Sequence, residues 1–221
     1  MNKIAAFYDI AFAEYGDLGW WPASDPFEVM VGAILTQNTN WKNVERAILN
    51  LKNRGLLGFR EIIEAPIDIL ADAIRSSGYY NQKVLKLKRF VEWFDRAADG
   101  QIDALDDFST CELRRELIGI KGIGPETADD IVLYALDRPV FVVDTYTYRI
   151  ATRHGWSPPD VGYDELAEIF TSSMPEDIAL YKNFHAIIVE IGKGFCKKRK
   201  PLCSECPARR TLEEGYPLEI F

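Results

Sequence analysis

The chain lacks the features that would put it in a membrane or in an oxidising compartment. Of its 221 residues 48% are hydrophobic, enough to build a sizeable core. Yet no apolar run approaches the roughly 18–20 residues that a bilayer span requires. The opening stretch, MNKIAAFYDIAFAEYG, carries Asp9 and Glu14 within its apolar residues, which argues against a cleaved leader. A cytoplasmic protein without membrane attachment is the expectation. Histidine is scarce. His154 and His185 are the only two, each inside a helical pattern with no second ligand at useful spacing, so both are expected to be structural, hydrogen-bonded residues. Internal repeats and low-complexity tracts are absent.

Cysteine is limited to Cys111, Cys196, Cys203 and Cys206. Three crowd together near the C-terminus, a grouping that points to metal before disulfides in a chain without a secretory leader. Cys111 stands apart and is expected to be a small buried apolar residue. Basic charge is also in deficit: the net charge is −8. Its distribution is uneven, however. From Lys193 to Arg210 seven basic residues (Lys193, Lys197, Lys198, Arg199, Lys200, Arg209, Arg210) face one acid, Glu205. Such a local basic surface on an acidic body can hold a phosphate backbone with salt-dependent affinity, although a solvated charged loop would read the same.

Apolar residues recur at three- and four-residue spacings along nearly the whole chain, and short separators rich in Gly, Pro, Ser and Asp divide the segments. Asp25-Pro26 before FEVMVGAIL has the form of an N-cap followed by a first-turn proline. The run ETADDIVLYAL (126–136) reads as one helix. VFVVD (140–144) has no partner run and is expected to be an extended lead into a helix. The fold class is all-α, with about ten helices in two helical domains.

Two of the predicted helices are joined by Leu117-Ile-Gly-Ile-Lys-Gly-Ile-Gly-Pro-Glu-Thr-Ala128. Gly122 and Gly124 allow positive φ and leave the backbone bare, and Pro125 suits a first helical turn. Backbone N–H groups and a helix N-terminus then point outward as an anion site, with Lys121 beside it. A plain helix–turn–helix connection is the alternative.

With its surroundings this segment resembles a known family. LxGIGxxTA, followed by a run ending in VVDTYTYR, is similar to the helix-hairpin-helix and catalytic aspartate of the endonuclease III superfamily of DNA glycosylases; AILTQNT (33–39) and the C-terminal cysteines extend the likeness over most of the chain. The resemblance implies a six-helix bundle over residues 22–136 that carries the hairpin. It also implies a second domain, from residues 1–21 and 137–221, with a DNA-facing cleft between the two. Gly122, Gly124, Lys121 and Thr127 would meet DNA. Gln37 would fill the gap left by an extruded nucleotide, supported by Asn38. The partner implied is double-stranded DNA containing a damaged base, bound by a monomer in the cytoplasm or nucleoid.

Asp144 would be the catalytic carboxylate, stabilising positive charge at C1′ and orienting the attacking water. It also suits the N-cap of TYTYRIATRH, and the two roles can coexist. Bifunctional members of the family carry a lysine two residues after the hairpin's second glycine; here that residue is Glu126, which cannot form an imine. A monofunctional glycosylase without strand-cutting activity is therefore expected. Trp20-Trp21-Pro22 and Trp41 are aromatic candidates for sandwiching an extruded base, and with Glu126 and SGYYNQK (77–83) they resemble the 3-methyladenine glycosylases of endonuclease III type. The lysine that this subclass can carry in its last helix is replaced by Ile187. A uracil/thymine mismatch glycosylase and a catalytically silent DNA-binding module are the alternative functions.

Cys196-x6-Cys203-x2-Cys206 is similar to the first three ligands of the family's [4Fe–4S] loop, but Leu212 occupies the place of the fourth. Either another ligand completes a cluster, or the loop persists without one.

Overall fold

Local signals set most of the helix ends. In the computed structural model, which describes residues 2–212 and 217, every regular element among the described residues is helical. The chain divides into two units, Ala23–Arg138 and a second made of Met1–Pro22 with Pro139–Phe221.

The unit Ala23–Arg138 holds α2 (Pro26–Thr36), α3 (Trp41–Asn53), α4 (Phe59–Glu64), α5 (Ile67–Ala73), α6 (Tyr80–Ala98), α7 (Thr110–Gly119) and α8 (Pro125–Asp130). Asp25 caps α2 by accepting from Glu28 N–H at 2.9 Å, with Pro26 in the first turn. Residues Val29 to Leu35 are buried on all sides, so α2 is the helix around which α3, α6 and α8 pack. Phe94 anchors the other end of the core, with Phe27, Phe59 and Phe90 ring centroids 6.1, 5.4 and 6.1 Å away. Where one α-helix is expected over 126–136, α8 gives way to a π-helical segment, Ile131–Ala135. The five residues of that segment are buried, largely against α2, and the wider turn is set by this packing, which periodicity cannot reveal.

The other unit holds α1 (Lys3–Tyr15), α9 (Thr145–Arg153), α10 (Tyr163–Ser173) and α11 (Ile178–Gly194). Phe141, Val142 and Val143 are buried in extended backbone that feeds α9. Phe141 stacks on Phe170 at 4.5 Å, and Phe184 joins both. Helix α9 lies along α11, and the two approach closely at Gly192, where a Cβ would stand 2.3 Å from Tyr146 Cδ1. Only a residue without a side chain allows that contact. It ties the first turn of α9 to the last turn of α11.

Candidate active site

The hairpin between α7 and α8 is built from two buried isoleucines and two glycines. Ile120 and Ile123 anchor the turn in the core, while Lys121 and Gly122 face solvent. Gly122 has φ +104°, a conformation L side chains rarely adopt, and a Cβ there would meet Lys86 Cγ at 2.8 Å. Gly124 differs from the expectation: its φ is −99° and ψ 178°, ordinary extended backbone, and no atom lies within 4 Å of where its Cβ would be. Gly124 is the N-cap of α8 but has no side chain to cap it, so first-turn N–H groups are presented to an outside acceptor. Pro125 opens the helix, and Glu126 is exposed in its first turn.

Gln37 ends α2 against this hairpin. Its Nε2 donates to Gly122 O at 3.1 Å and to Thr127 Oγ1 at 2.9 Å, and its Oε1 accepts from Lys86 Nζ. Thr127 is buried, so its hydroxyl serves the hairpin through Gln37. Asn38 follows at φ +54° and is exposed, as is Tyr79 at φ +47°. These two, with Gln37, Gln82, Lys83 and Lys86, line a cavity of about 300 Å³. Beneath it Lys83 is buried, donating to Leu35 O at 2.7 Å and Ser77 O at 2.6 Å. Burial, with Lys86 adding to it, lowers its ammonium to a pKa of about 8. Lys83 thus ties the segment before Gln37 to the segment before Tyr79. Sequence reasoning missed Tyr79, Lys83 and Lys86. The one available signal was SGYYNQK, whose individual residues carry no spacing rule.

In the other unit Asp144 is the N-cap of α9. Its Oδ1 accepts from Thr147 N–H at 2.7 Å and from Thr147 Oγ1 at 2.9 Å. Its Oδ2 lies 3.9 Å from Nε2 of His185 on α11, and the two side chains are only 13% and 7% exposed. Burial lowers the His185 pKa, with Asp144 opposing and Lys193 reinforcing the shift. Burial likewise raises the Tyr146 hydroxyl, as does the Asp144 charge. The carboxylate is therefore fixed by one oxygen and has the other in a sparsely hydrated setting.

Trp20 and Trp21 are half-buried and Pro22 is exposed; Lys193 Nζ stands 5.3 Å from the Trp20 ring centroid. Trp41, on the first turn of α3, is half-buried and donates from Nε1 to Glu45 at 2.8 Å. Trp20, Trp21 and Pro22 belong to the unit that carries Asp144, Trp41 and Glu126 to the unit that carries the hairpin. Ile187 is fully buried in α11.

The cysteine loop is held by arginines of α9. Arg149 donates to Cys196 O and to Gly192 O, while Arg153 donates to Cys196 Sγ at 3.2 Å, Lys197 O at 2.7 Å and Lys198 O at 3.0 Å. Cys196, Cys203 and Cys206 line one hollow of about 20 Å³, which Leu212 closes with an apolar side chain. Burial and the neighbouring sulfurs raise the Cys203 and Cys206 thiols. Among the described residues no group of three or more His, Cys, Asp or Glu side chains is arranged to hold a metal ion. With three thiols and Leu212 around the hollow, the described donors fall one short of a four-thiolate cluster. Lys197 to Lys200 are exposed on the same loop. Cys111, expected to be buried, is exposed: it is the second residue of α7, beside the Ser109–Glu112 capping box, where the helix end faces water.

An uncapped glycine hairpin and an aspartate anchored at a helix start define an all-α protein of the helix-hairpin-helix class. Comparison with known proteins makes the assignment specific. Residues 31–176 match the family described as "HhH-GPD superfamily base excision DNA repair protein". The chain is 47% identical to the "Putative DNA repair glycosylase MJ1434" of Methanocaldococcus jannaschii, over 94% of each chain. It is 30% identical to "Endonuclease III" of Thermotoga maritima, over 86% of this chain and 84% of that one. Among solved structures, the H. pylori 3-methyladenine DNA glycosylase MagIII bound to 1,N6-ethenoadenine is 28% identical with a TM-score of 0.75, covering 87% of this chain and 98% of that one. A trapped endonuclease III–DNA covalent intermediate shares the fold, with a TM-score of 0.81, 22% identity and coverage of 96% and 95%. The chain belongs to the HhH-GPD superfamily and is a DNA glycosylase of base excision repair. Among the described residues no helix is long and apolar enough to cross a membrane.

Proposed function

We propose that the protein is a monofunctional DNA glycosylase that extrudes a damaged base from duplex DNA and hydrolyses its N-glycosidic bond with Asp144, an alkylated or otherwise adducted purine being the favoured substrate. The observation that carries the reading is the asymmetry of Asp144: Oδ1 is anchored by two donors from Thr147, and Oδ2 is left for chemistry. As the base departs, C1′ gains positive charge. A fixed carboxylate stabilises that charge and takes the proton of the attacking water.

Glu126 supports hydrolysis over lyase chemistry, because a carboxylate cannot attack C1′ to form an imine. The hairpin N–H groups, Lys121 and the basic segment Lys197–Lys200 supply phosphate contacts. Gln37, held by Gly122, Thr127 and Lys86, and the exposed Tyr79 are the residues proposed to fill the duplex where a nucleotide leaves it. Trp20, Trp21 and Trp41 are the stacking surfaces proposed for the extruded base.

Similarity to the ethenoadenine-bound H. pylori enzyme supports the purine assignment. A second reading, removal of uracil or thymine from mismatches, draws on 27% identity to the "Thymine/uracil-DNA glycosylase" of Pyrobaculum aerophilum, over 91% of this chain and 86% of that one. A panel of duplexes carrying ethenoadenine, methylated purines, G·U and G·T separates the two. Wild type is expected to release the adducted purines, and Asp144→Asn to slow release by roughly 10²–10⁴-fold. Release from G·U or G·T alone overturns the substrate assignment, and an undiminished Asp144→Asn variant overturns the mechanism.

A further inference from the structure

Asp144 must keep its charge and its orientation while the sugar beside it turns cationic. The capping bonds restrain Oδ1 only, and rotation about the last side-chain bond is governed by what stands next to Oδ2. That neighbour is His185, whose Nε2 lies 3.9 Å away on a ring with 7% of its side chain exposed. No bridging water fits in so short a gap, and a small rotation of either side chain closes it to a hydrogen bond. The close α9–α11 approach at Gly192 and Tyr146 holds the two helices in this register.

We propose that His185 is a positioning residue for the reaction: through Nε2 it sets the direction of Asp144 Oδ2. The inference rests on Asp144 being the catalytic carboxylate. Imidazole suits the task better than a permanent cation would. A lysine or arginine at 3.9 Å would neutralise the charge that the developing sugar cation needs. A buried neutral ring offers a hydrogen-bond donor without cancelling that charge, and burial drives His185 toward its neutral form.

The atom involved gives a sharp test. A glutamine side chain can place its amide nitrogen near the position of Nε2, whereas asparagine reaches only to the position of Nδ1. Both are polar, and neither fills the space of the ring. Single-turnover base release on the lesion duplex cleaved fastest by wild type, duplex affinity and melting temperature are measured for His185→Gln, His185→Asn and His185→Leu. Expected is release within about threefold of wild type for Gln and a 10- to 100-fold slowing for Asn and Leu, with affinity unchanged in all three. Equal damage by Gln and Asn, or rates that fall only in step with melting temperature or affinity, shows a structural role and overturns the proposal. So does a wild-type rate in His185→Leu; if that variant does not fold, the Gln and Asn pair decides the matter. Loss of activity in Asp144→Asn alongside unaffected His185 variants sinks this inference and leaves the function standing. A wild type that releases no base, or an undiminished Asp144→Asn, sinks the reading of Asp144 itself.

Discussion

Gly124 offers a way to separate what the hairpin needs for folding from what it needs for DNA. Its φ of −99° suits any L-residue, and a Cβ there would meet nothing within 4 Å. Gly124→Ala therefore introduces neither strain nor overlap. Its cost to folding is the poorer N-cap quality of alanine, about 0.5–1 kcal/mol. If the first-turn N–H groups of α8 grip a phosphate, the added methyl stands where an oxygen must approach. Losing one charge-assisted hydrogen bond costs about 1.5–3 kcal/mol, so affinity should fall roughly 10- to 150-fold.

Gly122→Ala makes the opposite case. The residue is forced to φ +104° and its Cβ overlaps Lys86 Cγ at 2.8 Å, so about 1–3 kcal/mol of stability should go as well. Lys86 cannot yield without disturbing its bond to Gln37. Gly119→Ala, at the end of α7 with open space around it, is the neutral control. Fluorescence anisotropy on a duplex with an abasic-site analogue, at one fixed ionic strength, reads affinity, and thermal melting reads stability. A Gly124→Ala variant that binds as tightly as wild type would refute the assignment of the hairpin as a phosphate site.

Borohydride treatment of wild type on its lesion duplex should trap no covalent adduct, because Glu126 replaces the amine; a trapped band would refute hydrolysis by water and direct attention to Lys121. Leu212→Cys should enable the loop to take up iron and sulfide on anaerobic reconstitution, giving absorbance near 400 nm that wild type lacks; equal absorbance in wild type would show that three thiolates suffice. His154, buried against Phe7 and Trp156, has its pKa lowered by burial from 6.5 to about 4, so folding stability should be full above pH 6.5 and fall by about 3 kcal/mol as pH drops through 4. Denaturant melts across that range check the sign, and His154→Phe should flatten the acid limb; a wild-type curve that is already flat there contradicts the burial argument.

What could be read from sequence was what neighbours in sequence decide. Asp25-Pro26, Gly124-Pro125 and the extended lead into α9 depend on residues a few positions apart, and each forms as its local chemistry dictates. The elements hidden from such reasoning are contacts across long stretches of chain. Gln37 meets Gly122 at a separation of 85 residues and Lys83 meets Leu35 at 48. No spacing rule announces either pair. Cys111 misled for a related reason: cysteine is commonly buried, but its position in the first turn of α7 outweighs that tendency. The π-helical turn at Ile131–Ala135 likewise answers to its packing on α2 and leaves the apolar pattern unchanged.

Asp144 shows how a local signal and a functional one can be the same signal. Read alone, an aspartate before a helix is a cap, and a cap needs no further explanation. Here the cap engages one oxygen and leaves the other facing His185. The helix start is thus a condition for the chemistry proposed for Oδ2. This coupling explains why the sequence does not mark the histidine that stands beside Oδ2. His185 has no partner at ligand spacing in sequence, and its relation to Asp144 exists only once α9 and α11 meet at Gly192. Residues that act by orienting a catalytic group are found where the fold closes, and the sequence marks such places only by the small residue that allows the approach.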